Sequence, residues 1–83
     1  MVGYWMNETS GVLRPAVTAY LNGEAMTPEQ IAAMRAYLRQ WIAGPWGPEP
    51  EVEQLRRDVD KLTTRTAIRH WLDRAERWNI DPL

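Results

Sequence analysis

An all-α fold, built as a small bundle of three to four helices in one domain over residues 1–83, is what this chain predicts from three observations. Apolar side chains recur at spacings of three and four through most of the sequence, the signature of helices that each bury one face. Residues that start and stop helices bracket those runs. A chain of 83 residues with no cysteine has room for one modest core, burying roughly 60 to 65 per cent of the surface its unfolded form exposes, with no disulfide to staple it.

The opening segment departs from the helical pattern. Tyr4-Trp5-Met6 and Val12-Leu13 flank the turn-rich Asn7-Glu8-Thr9-Ser10-Gly11, which predicts a short N-terminal β-hairpin that needs the helices as a backing. A first helix follows over residues 13–21, with Pro15 near its start, Val17, Tyr20 and Leu21 on one side, and Asn22-Gly23 as its stop. The best-marked helix spans residues 28–43. Thr27 is its N-cap, Pro28 its first residue and Gln30 the partner in a capping box, while Met26 and Ile31 are placed for a hydrophobic staple. Ile31, Met34, Leu38, Trp41 and Ile42 form its apolar stripe, bordered by Tyr37; Ala32, Ala36 and Ala43 lie opposite, beside Arg35, Arg39 and Gln40. Gly44-Pro45 ends it.

Val52, Leu55, Val59 and Leu62 predict a helix over residues 50–62, whose other side carries Glu53–Arg57 and Arg56–Asp60 as four-apart charge pairs. Thr63-Thr64 then caps a last helix reaching about Trp78 and burying Ile68, Trp71, Leu72, Ala75 and Trp78. Asn79 is suited to the left-handed conformation that closes such a helix.

Five tryptophans and three tyrosines without a phenylalanine give every large ring a polar handle, which suits a boundary between core and water or partner. Trp41 and Trp71 fall on apolar stripes. Trp46 instead stands in Gly44-Pro45-Trp46-Gly47-Pro48, where the prolines restrict it as a loop anchor for a partner; the plainer reading is a lid folded back on the helices. Nine of the ten basic residues are arginine, whose planar fork suits protein recognition or ordered internal pairs. Trp46, Arg35, Arg39, Arg65 and Arg69 are therefore the candidate partner-binding residues, and the partner expected is a protein. The alanine face beside Arg35 and Arg39 allows close approach of a second copy and predicts a two-fold homodimer.

Other classes have little support. One histidine and no cysteine, with no nucleophile elbow, phosphate loop or His-Glu-x-x-His arrangement, leave no catalytic residues, metal set or cofactor to nominate. His70 falls on the polar side of the last helix, and Asp58 and Asp60, two apart on a helix, diverge by about 200° and cannot chelate one ion together. No stretch approaches the ~18 apolar residues of a membrane span, and the opening residues lack a signal-peptide pattern; a cytoplasmic protein is expected. Residues 1–55 are net acidic and residues 56–83 net basic. A pI near 5.7 makes a weak electrostatic footprint for nucleic acid.

Two resemblances add to this reading. Met26-Thr27-Pro28-Glu29-Gln30-Ile31-Ala32-Ala33-Met34-Arg35 resembles the opening helix of phage-repressor-type helix-turn-helix domains, and Thr63-Thr64-Arg65-Thr66 through Arg69 would then open a recognition helix. The chain departs from that family at Gln40-Trp41-Ile42-Ala43-Gly44-Pro45, which replaces the short turn and second helix. This puts nucleic-acid or nucleotide binding second. Over its whole length the chain is similar to small helical accessory proteins of prophages and other mobile elements, in segments such as Gly11-Val12-Leu13-Arg14-Pro15-Ala16-Val17 and Ile68-Arg69-His70-Trp71-Leu72-Asp73-Arg74. That resemblance implies a non-enzymatic inhibitor that occludes a host defence protein, the anti-CRISPR proteins being one such type.

Overall fold

Four α-helices account for the regular structure of residues 11–83, the part of the chain that the computed structural model describes. They are α1 (Leu13–Leu21), α2 (Pro28–Ile42), α3 (Pro50–Asp58) and α4 (Arg65–Glu76), and a 3-10 turn, Val59–Lys61, continues α3. The starts follow local chemistry. Thr27 Oγ1 accepts from the Gln30 amide at 3.1 Å while Gln30 Oε1 accepts from the Thr27 amide at 3.0 Å, so two of the orphan donors at the head of α2 are satisfied reciprocally. Thr64 does half of the same for α4, its hydroxyl accepting from the Ala67 amide at 3.0 Å.

Three expectations are corrected. Val12 and Leu13 do not form a strand: Val12 has helical dihedrals, its carbonyl accepts from Ala16 at 3.0 Å, and Leu13 joins Ala16 and Val17 on the buried face of α1. The other half of that hairpin, Tyr4 to Met6, lies outside the described residues, and no strand occurs among the described ones. The helix expected over residues 50–62 ends as α-helix at Asp58; its last turn tightens to 3-10 geometry, which gives the final carbonyls nearer donors while Val59 and Leu62 stay in the core. And α4 stops at Glu76, leaving Trp78 outside the core it was expected to join.

The same turn closes α1 and α4. Gly23 (φ 71°) and Asn79 (φ 59°) take the left-handed conformation. Behind them the Glu24 amide reaches the Ala19 carbonyl at 2.9 Å and the Ile80 amide reaches that of Ala75 at 3.1 Å, the long bonds of a Schellman motif. After α4 this turn directs Ile80 and Pro82 into the interior, where the Tyr37 hydroxyl donates to the Pro82 carbonyl at 2.6 Å.

Met34, Leu38 and Ile42 from α2, Val52 and Leu55 from α3, and Ile68 and Trp71 from α4 are each at most 1 per cent exposed. Trp71, the largest of them, donates its indole N–H to the Leu55 carbonyl at 3.0 Å, which makes burial of its polar atom tolerable. Arg56 reaches Ile42, Arg39 reaches Asp60 and Arg35 reaches Leu62, so α3 and its 3-10 extension run back along α2. No helix among the described residues is long and apolar enough to cross a membrane.

Candidate functional site

A helix ends with carbonyls that lack intrahelical donors and with the negative pole of its dipole. In this protein arginines from neighbouring elements meet those ends. Arg65 Nη2 donates to the Tyr20 carbonyl at the close of α1 (2.8 Å), its guanidinium lying 5.0 Å from the centre of the Tyr20 ring. Arg35 Nη1 donates to Leu62, just past the 3-10 turn (2.9 Å). Arg56 closes α2: its Nε donates to Ile42 and its Nη2 to Gly44, both at 3.0 Å, and Glu53 holds the same guanidinium at 2.9 Å. The planar fork makes such divergent bonds from one side chain, which an ammonium makes less directionally.

The candidate residues are redistributed accordingly. Arg35 and Arg65 are half-buried and hold the fold together, while Arg39 is an exposed partner of Asp60 at 3.4 Å. Arg69 is exposed on α4 and joins Arg65 and Asp73 in the field around Tyr20. There burial raises the Tyr20 hydroxyl above its ordinary value against the opposing charge of Arg65; Asp73 adds to the rise and Arg69 opposes it. Arg56 was missed as a structural residue. The expected Glu53–Arg57 and Arg56–Asp60 pairs give way to Glu53–Arg56, Arg39–Asp60 and a hydrogen bond from Arg57 to Gln54. Helical phase carries the signal that separates the two arginines: Arg56 lies about 40° from the Val52 edge of the Val52–Leu55–Val59 stripe, whereas Arg57 lies nearly opposite it.

Trp46 is the lid of the plainer reading. The chain doubles back after Gly44, the indole N–H donates to the Trp41 carbonyl at 2.7 Å, and the ring packs at 6.0 Å from that of Trp41, itself 6.3 Å from Tyr37. Gly44 permits this, because a Cβ there would stand 3.3 Å from both the Trp41 oxygen and the Trp46 nitrogen and crowd the bond between them. The projecting anchor expected from the two prolines is therefore replaced by a half-buried latch.

The exposed tryptophan among the described residues is Trp78, 40 per cent accessible, just past α4. With Arg74 and Arg77 it forms the α4 side of a groove of about 170 Å³, whose α3 side is Glu51 and Gln54 above Leu55. The helix end that presents Trp78 is fixed by the Schellman turn and by the burial of Ile80. Arg74 is held at the rim by Asp58 at 3.0 Å. Partial burial tends to raise the Asp58 carboxyl, but hydrogen bonds from Gln54 and Arg74 and the charges of Arg74 and Lys61 outweigh it and hold the group below the usual carboxylate range. Arg77 and Glu51 are exposed, and neither makes an ion pair among the described residues. The groove thus offers the Trp78 indole, the Arg77 guanidinium and the Glu51 carboxylate for contact with a ligand, with Arg74 already held at its rim by Asp58.

Among the described residues no three of His, Cys, Asp and Glu gather to hold a metal ion. Leu21, 58 per cent exposed at the end of α1, is a single apolar side chain of the kind most surfaces carry. No protein-family model, no curated protein and no solved structure matches this chain.

Proposed function

We propose that this chain is a non-catalytic protein-binding module acting through the groove between α3 and α4, in the manner of the small mobile-element inhibitors, anti-CRISPR proteins among them, that its sequence resembles. The observation that carries the reading is Trp78. A large aromatic left 40 per cent exposed, fixed on a closed helix end and flanked by arginine, has the composition of a binding hot spot and little freedom left to lose on association. His70 is exposed on α4 and the sequence has no cysteine, and no nucleophile–base pair is nominated on this reading.

Affinity capture from the source cell, run in parallel with wild-type protein and Trp78→Ala, tests this reading. The variant should lose at least ~2 kcal/mol of binding, the hot-spot threshold, with an unchanged melting curve. Equal capture of the same partner by both proteins would sink it. The helix-turn-helix alternative has less to draw on, since Arg65, which would open a recognition helix, is turned inward to Tyr20. A salt titration separates the two: nucleic-acid affinity falls steeply with added salt, whereas an aromatic-anchored protein contact changes little.

A further inference from the structure

We infer that a second copy of this chain closes the groove between α3 and α4, seated about a two-fold axis that runs along it. The inference rests on the reading of that groove as a protein-binding surface and names an occupant for it. The carrying observation is the charge arrangement of the two sides. One holds an exposed carboxylate, Glu51, the other an exposed guanidinium, Arg77, neither with an ion-pair partner among the described residues, and the indole of Trp78 lies with them. A strongly acidic or basic partner would gain on one side and lose on the other. A two-fold pair requires instead that residue i meets residue j while j meets i.

An axis along the groove lays the α3 side of one protomer on the α4 side of its partner, so both charges find opposites. Trp78 then covers the first turn of the facing α3. That arrangement also sets the positive N-terminal pole of α3 toward the negative C-terminal pole of the facing α4. A domain of 83 residues, short of core on its own, gains buried apolar area by the pairing. The alanine face predicted for a dimer is less well prepared: Ala36 and Ala43 are exposed, but the neighbouring Arg35 is already committed to Leu62 and Arg39 to Asp60.

Sedimentation equilibrium of the full chain, alone and as charge-reversed variants, provides the test. Wild type should show a species of twice 9.7 kDa at tens of micromolar, and Arg77→Glu and Glu51→Arg should each weaken self-association at least about tenfold through like-charge contacts. The decisive sample is a mixture of the two single variants. One carries two acidic groups at the groove and the other two basic ones, so the mixture pairs while each alone does not; a contact within one chain cannot be restored by mixing.

Three outcomes overturn the inference: a 9.7 kDa species at every concentration, a dimer indifferent to both charge reversals, or a mixture that pairs no better than its components. The first leaves the protein-binding reading to be judged by capture with Trp78→Ala, and the second moves self-association to another face. If Trp78→Ala alters neither self-association nor capture, the inference and the reading beneath it both fall.

Discussion

Trp46 and Trp78 each follow the last turn of a helix, yet one is latched to the molecule and the other stands open. The difference lies in how the chain leaves the helix. After α2, Gly44-Pro45 folds the backbone over the turn it has just completed and delivers Trp46 to a carbonyl, Trp41, that can accept another hydrogen bond. After α4, the Schellman turn carries the following residues inward; Ile80 and Pro82 take the buried positions and the side chain at the cap is left outside. An aromatic beyond a helix end is covered when the loop itself turns back, and exposed when the residues after it do the burying.

The sharpest way to break that contrast is to remove what holds the Trp46 corner. Arg56→Ala takes charge-assisted donors from the Ile42 and Gly44 carbonyls and is expected to cost about 3 kcal/mol in a urea unfolding curve, given ~1.5–3 kcal/mol for each such bond. A loss under ~1 kcal/mol would show that the loop holds its shape without the clasp. Trp46→Ala should cost about 2 kcal/mol, the lost apolar area of a half-buried indole together with its hydrogen bond. Trp46→Phe should keep roughly half of that, and if both variants melt with wild type the ring is not a latch.

On the Trp78 side the effects are smaller. Asp58→Asn loosens Arg74 at the groove rim and should cost up to about 1 kcal/mol near neutral pH. Because the folded Asp58 titrates below its usual value, its contribution is fully present above the unfolded value of about 3.9 and is lost as pH falls through the lower folded one. The gap between variant and wild-type stability should accordingly close as acid unfolding proceeds; a gap that widens toward low pH would reverse the assigned sign. Trp78→Ala should alter the stability of the monomer least, within about 0.5 kcal/mol when unfolding is followed at a concentration below that of self-association, as expected of a surface position. A thermal scan showing it as damaging as Trp46→Ala would erase the distinction between the two corners.

What could be read from the residues was mostly local. Thr27, Pro28 and Gln30 specify the head of α2 because all their partners lie within three residues, and Gly23 and Asn79 specify two helix ends for the same reason. Bounds for α1 and α2 follow to within a residue. The candidate site was legible only as a composition, tryptophan with arginine. Which arginine turns inward depends on whose carbonyls lie across the packing seam, and neither Arg56 nor Arg65 has that partner within reach of a local pattern. A spacing of seven from Trp71 keeps Trp78 on the apolar stripe, and its exposure comes from the Schellman turn, which ends α4 before it and gives the buried positions to Ile80 and Pro82.

The Arg56 clasp also bears on the order in which the chain folds. Its bonds to Gly44 and Ile42 join residues 12 and 14 apart, whereas those of Tyr37 to Pro82 and of Arg65 to Tyr20 span 45. Short loops close early and at small entropic cost, while distant ones wait for the chain to be nearly assembled. The α2–α3 bend, tied by one guanidinium, and the α1–α2 pair, whose connection is shorter still and whose packing is the most extensive in the molecule, are therefore the early-closing units, with α4 and the last residues docking onto them. Native-state hydrogen exchange should find its slowest amides in the facing turns of Met34–Ile42 and Val52–Leu55 and its first openings at the Ile80–Pro82 tail. The Arg56 clasp would then act as an early tie, closing the α2–α3 bend before the distant contacts of Tyr37 and Arg65 can form.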